Sequence, residues 1–477
     1  MTDTTAVPGS WGELLGRDYG RATTVLAGGV ALYAINEFIT MSLLPSVVAD
    51  IGGARLYAWV TTVYLVASVV SATTVGPVLT RFGPRRSYLG ALLFFAGGTA
   101  VCAAAPSMTV LLAGRLAQGL AGGVLAGLGY AVISAALPER LWTRATAVVS
   151  AMWGVGTLIG PASGGLFAQF GLWRWGFGLL MFGAVLMAVL VPIALPSRGG
   201  ATEQRVRIPV RSLALLGAAA LMVSVAAIPR NPAITVGLLV SAAVAVAVFV
   251  VVDRGSAAHV LPRRTFEPGP LKWIYLTMGL LMAATMVDMY APLFGQRLGG
   301  LPPAAAGFLG AALSVGWTVA EIRSASISDR RIVARVVRWA PAVMAAGLGL
   351  SVLAIRDGAG PIAIAAWALA LAVSGAGIGA AWPHLSVWAM GSAGGASAGG
   401  ASVGGASVDE PGEQAVAAAA INTVQLMCAA FGAGVAGVVV NLRAEPDAPA
   451  AQWLFAGFAG LAAVGWLASS RAARTPG

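Results

Sequence analysis

ALYAINEFITMSLLPSVVADIGG, residues 31–53, is apolar enough to cross a bilayer, yet it carries Glu37 near its middle with Asn36 beside it. An ionised carboxylate at bilayer depth costs about 2.5–3.5 kcal/mol on insertion scales. A chain keeps such a group only if it is shielded, protonated or used. Glu37 is therefore the first candidate for function. The structural alternative is a protonated Glu hydrogen-bonded to a neighbouring helix.

The rest of the chain has the same character. Of 477 residues, 58% are hydrophobic and 10% are charged, with a mean hydropathy of +0.84. A soluble domain carries about 25% charged residues, so the composition is that of a polytopic membrane protein. The net charge of +11 calls for no nucleic acid, because membrane topology accounts for it. Cys102 and Cys428 both lie inside apolar runs, which disfavours a disulfide framework or a thiolate metal site. Residues 1–20 lack the basic, apolar and cleavage-site pattern of a signal peptide, so the first span is expected to be an uncleaved anchor. Ser10-Trp11-Gly12-Glu13 reads as a capping box opening a short interfacial helix.

A spanning helix needs about 20 apolar residues. Fourteen stretches qualify: 24–48, 57–79, 87–106, 109–136, 143–168, 175–195, 211–229, 232–252, 271–295, 303–323, 337–355, 359–389, 414–440 and 451–470. With the N-terminus inside, the even-numbered loops and both tails hold 22 basic residues against six on the opposite side, with Arg115 inside a helix. That asymmetry predicts cytoplasmic termini. The expected segments are a cytoplasmic N-terminal stretch (1–23), a six-helix bundle (24–196), a basic loop with an extra helix pair (197–270), a second six-helix bundle (271–470) and a cytoplasmic tail (471–477). The extra pair is bland enough to face lipid. The second bundle contains a Gly/Ala/Ser loop (391–413) with GGAS three times, which reads as a flexible linker.

A short internal repeat links the halves. Aligning LLPSVVADIGG (43–53) with YAPLFGQRLGG (290–300) sets Pro45 on Pro292 and Gly52-Gly53 on Gly299-Gly300 without a gap. Transporters built from two like halves carry their site where the halves meet. In this frame Asp288 falls opposite Met41 rather than Glu37, about one helical turn or ~6 Å away in depth.

Three further motifs carry a family resemblance. GPVLTRFGPRRS (76–87) resembles the signature loop of the major facilitator superfamily, and LLAGRLAQGLAGG (111–123) resembles its Arg-x-x-Gln-Gly motif. GVGTLIGPASGG (154–165), followed by LWRWGF (172–177), is similar to the Gly-Pro motif of its drug:proton antiporters. Fourteen spans match the branch with an extra central pair. The resemblance implies an all-α membrane protein of the major facilitator fold in a bacterial cell membrane. It also implies gating roles for Gly76, Arg81, Gly83, Arg85 and Arg86 in the first motif, and for Gly156, Gly160, Pro161 and Gly164 in the third. The signature loop usually has an acid where this chain has Thr80; Asp329 is a candidate substitute.

The chemistry follows from the buried polar residues. Arg115 stays charged at any working pH and needs a partner. Glu37, at comparable depth, is the expected one, and that pair would make proton release sensitive to geometry. Glu37, Asp288 and Arg115 are thus the proton-coupling candidates. Asn36, Met282, Met286, Tyr290, Asn422 and Gln425 are the substrate-binding candidates, since Met and Tyr make an adaptable wall. Methionines at helical spacing also simply fill cores, and Asn422 and Gln425 also suit helix–helix hydrogen bonds. Pro161 removes a backbone hydrogen bond and is expected to bend its helix among glycines; ordinary glycine packing is the other reading. Glu321 and His384 are secondary candidates, Glu321 with Arg323 or a loop arginine as its expected partner.

No Gly-Lys-Ser/Thr phosphate loop, metal-ligand spacing or catalytic centre is evident, so no cofactor, no metal and no enzymatic activity are expected. The expected partners are the bilayer, protons and a small amphipathic molecule; a monomer suffices. The whole reads as a proton-coupled exporter of amphipathic or cationic compounds. A selective exporter of a lipid or metabolite also fits. A non-transporting receptor or scaffold has less need of buried acids.

Overall fold

The computed structural model describes residues 10–196, 208–229, 231–256, 258–327, 329–393, 410–442 and 447–473. The GGAS repeats, Asp409, the side chains of Glu410 and Glu413, and Arg198, Arg205, Arg207, Arg230, Arg443 and Arg474 lie outside the described residues.

Every regular element among the described residues is helical. In chain order they are α1 (Trp11–Leu14), α2 (Gly20–Ile51), α3 (Tyr57–Ala72), α4 (Val75–Ala103), α5 (Met108–Ala131), α6 (Ile133–Ala136), α7 (Trp142–Gln169), α8 (Trp173–Ala194) and α9 (Val210–Val225). There follow α10 (Pro232–Gly255), α11 (Leu271–Thr285), α12 (Ala291–Gly299), α13 (Pro303–Ser324), α14 (Arg330–Ala354), α15 (Pro361–Ala393), α16 (Glu410–Asn441) and α17 (Ala448–Ala472). Thirteen helical stretches are long and apolar enough to cross a membrane, and α9 is a shorter apolar helix. Each of the fourteen expected spans has its helix. The seventh is shorter than expected because the chain tightens after Val225: Ala227 and Ile228 bond back three residues, to Ser224 and Val225.

By its contacts the chain divides into two compact units. One comprises Met1–Gly53 and Ala67–Arg207, the other Ala54–Val66 and Ile208–Gly477. The division falls within α3, whose residues 57–66 group with the second unit.

In the first unit α2 packs along α7. Gly156, Gly160 and Gly164 recur every four residues and so share one helix face. A methyl group on Gly156 would stand 2.7 Å from Ala34 Cβ, one on Gly164 2.8 Å from the Ile39 carbonyl oxygen, and one on Gly160 would collide with Phe38 Cβ. The glycine motif therefore sets the backbone approach of α7 to the stretch of α2 around Glu37. Pro161 sits inside a continuous α7 and leaves the Thr157 carbonyl without its helical donor.

Both ends of this unit carry ion pairs. Ser10 caps α1 by accepting from the Glu13 amide at 3.1 Å, as a capping box requires. The Glu13 carboxylate reaches Arg140 rather than returning to the cap. In the last turn of α2, Asp50 accepts from Arg174 at 2.6 Å and from the Trp173 indole at 3.0 Å, and Arg174 also bonds the Ala105 carbonyl. The LWRWGF stretch thus fastens the end of the opening segment.

In the second unit α9 packs on α10 and α16. Val236, Val240, Val244, Val248 and Val251 of α10 are exposed on one stripe, the face a lipid-contacting helix presents. Trp59 donates to the Ser224 carbonyl at 2.9 Å, and the Ser224 hydroxyl bonds Thr62 at 3.0 Å. These bonds tie α9 to the first turns of α3.

Candidate functional site

Arg115 is almost fully buried, at 1% exposure. Its placement follows from the meeting of α4 and α5. A methyl on Gly98 would lie 2.9 Å from the Gln118 amide nitrogen, and one on Gly114 2.9 Å from the Gly98 carbonyl. The two backbones are close enough for Thr99 of α4 to meet side chains of α5.

The guanidinium donates to three neutral oxygens: Asn36 Oδ1 at 3.2 Å, Thr40 Oγ1 at 3.3 Å and Gln118 Oε1 at 3.0 Å. Two of the acceptors are oriented by a second bond. Thr40 gives its hydrogen to the Asn36 carbonyl at 2.6 Å. Gln118 gives its amide to Thr99 Oγ1 at 2.9 Å, and Thr99 gives its hydrogen to the Phe95 carbonyl at 2.7 Å. The amide orientations of Gln118 and Asn36 follow, because reversing either would aim N–H groups at a cation. Asn36 Nδ2 is then left buried with no protein hydrogen-bond partner. An unmatched buried donor costs about 1–3 kcal/mol.

Glu37 is half-buried and lies within the electrostatic reach of Arg115. Around the guanidinium stands a shell of amide and hydroxyl oxygens. Thr40 and Thr99 are the members that sequence reasoning did not single out, and Gln118 entered it only as part of the Arg-x-x-Gln-Gly motif. The signals were there: Thr40 is four residues from Asn36, and Gln118 three from Arg115.

The ninth span is discontinuous. α11 ends at Thr285, residues Met286–Tyr290 form a 3-10 turn, and α12 begins at Ala291. Pro292 has no N–H for the carbonyl of Asp288; that carbonyl instead accepts from the Ala291 amide. Asp288, 5% exposed, sits in the 3-10 turn. Mid-helix 3-10 turns often mark functional hinges.

Beside it Tyr290 stacks on Tyr57, with ring centroids 4.7 Å apart at 21°, and the Tyr57 hydroxyl donates to the Met289 carbonyl at 3.1 Å. The buried Tyr290 hydroxyl has no protein partner. Met278, Met282, Met286 and Met289 are all buried. On α16, Asn422 is exposed and Gln425 half-buried.

Of the gating candidates, Gly83 takes φ +74° and ψ 169° inside the helical stretch of α4, a conformation essentially reserved for glycine. Ser87 caps this kink by donating to the Gly83 carbonyl at 2.7 Å. Arg81 and Arg86 are exposed, Arg85 is half-buried, and Thr80 bonds only back to the Gly76 carbonyl at 2.9 Å. Asp329 caps α14, accepting from the amides of Arg331 at 2.7 Å and Ile332 at 3.2 Å. Its Oδ1 is thus engaged in the helix cap.

Glu321 accepts from the Trp317 indole at 2.9 Å, not from Arg323 as expected, because Arg323 points to the exposed side of α13. Ser324 donates its hydroxyl hydrogen to the Ala380 carbonyl at 2.6 Å and contacts His384 Nε2 at 2.9 Å. With that hydrogen engaged, His384 must donate from Nε2.

A many-spanned helical chain with ionisable groups inside its spans, one of them on a broken helix, has the architecture of a membrane transporter. The chain belongs to the major facilitator superfamily, whose family model matches residues 26–408. It is 57% identical to a "Probable multidrug-efflux transporter" of Mycobacterium tuberculosis, over 99% of this chain and 98% of that protein. It is 24% identical to a multidrug transporter of Bacillus subtilis over 61% of this chain and 54% of that one. Its fold is similar to the nucleoside transporter NupG (TM-score 0.64, 14% identity, 94% and 98% of the two chains). It is likewise similar to a bacterial homologue of the human lysosomal transporter Spinster (TM-score 0.65, 12% identity, 98% of each).

Proposed function

We propose that the chain is a secondary exporter that moves amphipathic or cationic compounds out of a bacterial cell in exchange for protons, by alternating access. The observation that carries this reading is the half-buried Glu37 beside the Arg115–Asn36–Thr40–Gln118 network. The apolar span opposes charge on that carboxyl group and the neighbouring fixed cation supports it. A proton or a cationic substrate can then compete for it, which is the exchange an antiporter needs. Asn36 Nδ2, a buried donor without a protein partner, adds a group able to bind substrate or water. Asp288, in the turn that interrupts the ninth span, is the second carboxylate. Interrupted helices bearing ionisable groups are a recurrent way of building transporter sites.

The names of the relatives point to multidrug efflux, and the distribution of basic residues to two cytoplasmic termini in the inner membrane. In this reading 24–196 and 271–470 are the two six-helix bundles, and α9 and α10 are an inserted pair. The Gly156–Gly160–Pro161–Gly164 face and the Gly76–Arg86 loop serve gating. The test is efflux of a fluorescent cation from membrane vesicles under an imposed pH gradient, comparing the parent with Glu37→Gln and Asp288→Asn. Loss of gradient-driven efflux in either variant is expected; unchanged efflux in both rejects the carboxylate mechanism.

A further inference from the structure

The inserted pair has no task in the mechanism above. Its second helix, α10, turns valines outward, but its first, α9, carries a fully buried serine, Ser224. Both oxygens of Ser224 are engaged. The hydroxyl donates to Thr62 Oγ1 at 3.0 Å, and Thr62 passes its own hydrogen to the Ala58 carbonyl at 3.2 Å. The Ser224 carbonyl accepts from the Trp59 indole at 2.9 Å and from the Ala227 amide at 3.2 Å. Hydrogen bonds of this kind tie one helix to another inside a bilayer, and here they tie α9 to the start of α3.

Small residues on α16 let the three helices converge. A methyl on Gly434 would stand 3.0 Å from Ser224 Oγ. One on Gly437 would stand 2.7 Å from Ala58 Cβ, 3.5 Å from Ala227 Cβ and 3.8 Å from the Tyr290 hydroxyl. Further along α16, Asn441 Nδ2 donates to the Arg55 carbonyl at 3.0 Å and to the Ala227 carbonyl at 3.1 Å. The entry to α3 is thus held from α16 at Arg55 and from α9 at Trp59 and Thr62. Between these anchors stands Tyr57, whose hydroxyl donates to the Met289 carbonyl and whose ring stacks on Tyr290. Met289 and Tyr290 belong to the 3-10 turn that carries Asp288. A path of bonded residues therefore runs from α9 through the first turns of α3 to the break in the ninth span.

We infer that Ser224 is a positioning residue: from the inserted pair it holds the first turns of α3 so that Tyr57 braces the turn carrying Asp288. The pair is then a strut for the interrupted span as well as a face toward lipid. The consequence for efflux rests on the exporter reading; the brace itself is measured without transport.

The test is amide hydrogen exchange over residues 286–290 in the purified full-length protein in nanodiscs. Ser224→Ala removes the hydroxyl, Trp59→Phe removes the indole N–H, and Thr62→Val removes the acceptor while Thr62→Ser keeps it. Exchange is expected to quicken at least threefold in the first three variants and to stay at the parent rate in Thr62→Ser. It should also stay there in Val240→Ala, a change on the exposed face of α10. Exchange across α14 should be unaltered in every variant, which separates a lost brace from general loosening. Tyr57→Leu removes both the hydroxyl and the ring, so Ser224→Ala should add nothing to exchange at 286–290 in that background. Parent-like exchange in both Ser224→Ala and Trp59→Phe, or an undiminished effect of Ser224→Ala beside Tyr57→Leu, overturns the brace. In vesicles, gradient-driven efflux should fall at least threefold in Ser224→Ala; parent-level efflux there, with quickened exchange, overturns the bearing of the brace on transport. Quickened exchange in Ser224→Ala when the parent itself shows no gradient-driven efflux upholds the brace and rejects the exporter reading.

Discussion

Arg115 donates to the side-chain oxygen of Asn36 across 79 residues of sequence, at 3.2 Å. The bond joins α5 to α2 one residue before Glu37. Any shift of α2 against α5 therefore changes the surroundings of the carboxyl group.

Removing one arm of that network should be felt in stability and in transport. Thr40→Val is nearly isosteric but offers no oxygen to Arg115. A lost hydrogen bond to a buried charge is worth about 1.5–3 kcal/mol. The variant should melt at a lower temperature in detergent and transport more slowly; an unchanged melting temperature would show that the Thr40 bond is dispensable.

The break in the ninth span should depend on Pro292. Pro292→Ala restores an N–H that can pair with the Asp288 carbonyl, and it relieves the ring clash that opposes a continuous helix. We expect the 3-10 turn to give way to α-helix, amide exchange at 288–292 to slow, and efflux to fall at least tenfold in a folded protein. Parent-level efflux with slowed exchange would show that the break is not required.

Glycines of this chain should not be equivalent. Gly160→Ala places a methyl against Phe38 Cβ, and overpacking of this kind costs about 1–3 kcal/mol. Gly97→Ala meets no atom within 4 Å and replaces a poor helix former by the best one. Thermal melting of the two variants should move in opposite directions, down for Gly160→Ala and level or up for Gly97→Ala.

The Glu13–Arg140 pair should loosen in acid. The hydrogen bond from Arg140 holds the Glu13 carboxyl below its ordinary value. A depressed folded-state value means that the contact is fully present above the ordinary carboxylate range, about 4.3 for Glu. It weakens as pH falls from there through the depressed value. Hydrogen exchange of the segment 11–19, corrected for intrinsic rates, should rise over that window in the parent. In Glu13→Gln it should already be fast at pH 7. Parallel profiles for the two proteins would rule the pair out as an anchor.

Much of the architecture was legible because its causes are local. Apolar runs of bilayer length mark all fourteen spans, and each has its helix. The glycines spaced by four in 156–164 announce a close face, and Gly53 and Gly300, matched in the internal repeat, both adopt positive φ, at +83° and +60°. The repeat did not foretell everything. Pro45 rides inside the unbroken α2, whereas Pro292 follows a 3-10 turn, so an aligned proline alone does not decide whether a helix breaks.

The sequence by itself determined that Arg115 is buried and must be hydrogen-bonded, and that Glu37, Asp288 and Glu321 lie within spans. Hydropathy and helical period contain that much, and both are properties of neighbouring residues. Only the tertiary structure decided the partners: Asn36, Thr40 and Gln118 around Arg115, Tyr57 against Tyr290, and Trp317 beside Glu321. A side chain's partner depends on which helix faces come together and how closely, and glycines on distant segments set that distance. No window along the chain contains both members of such a contact.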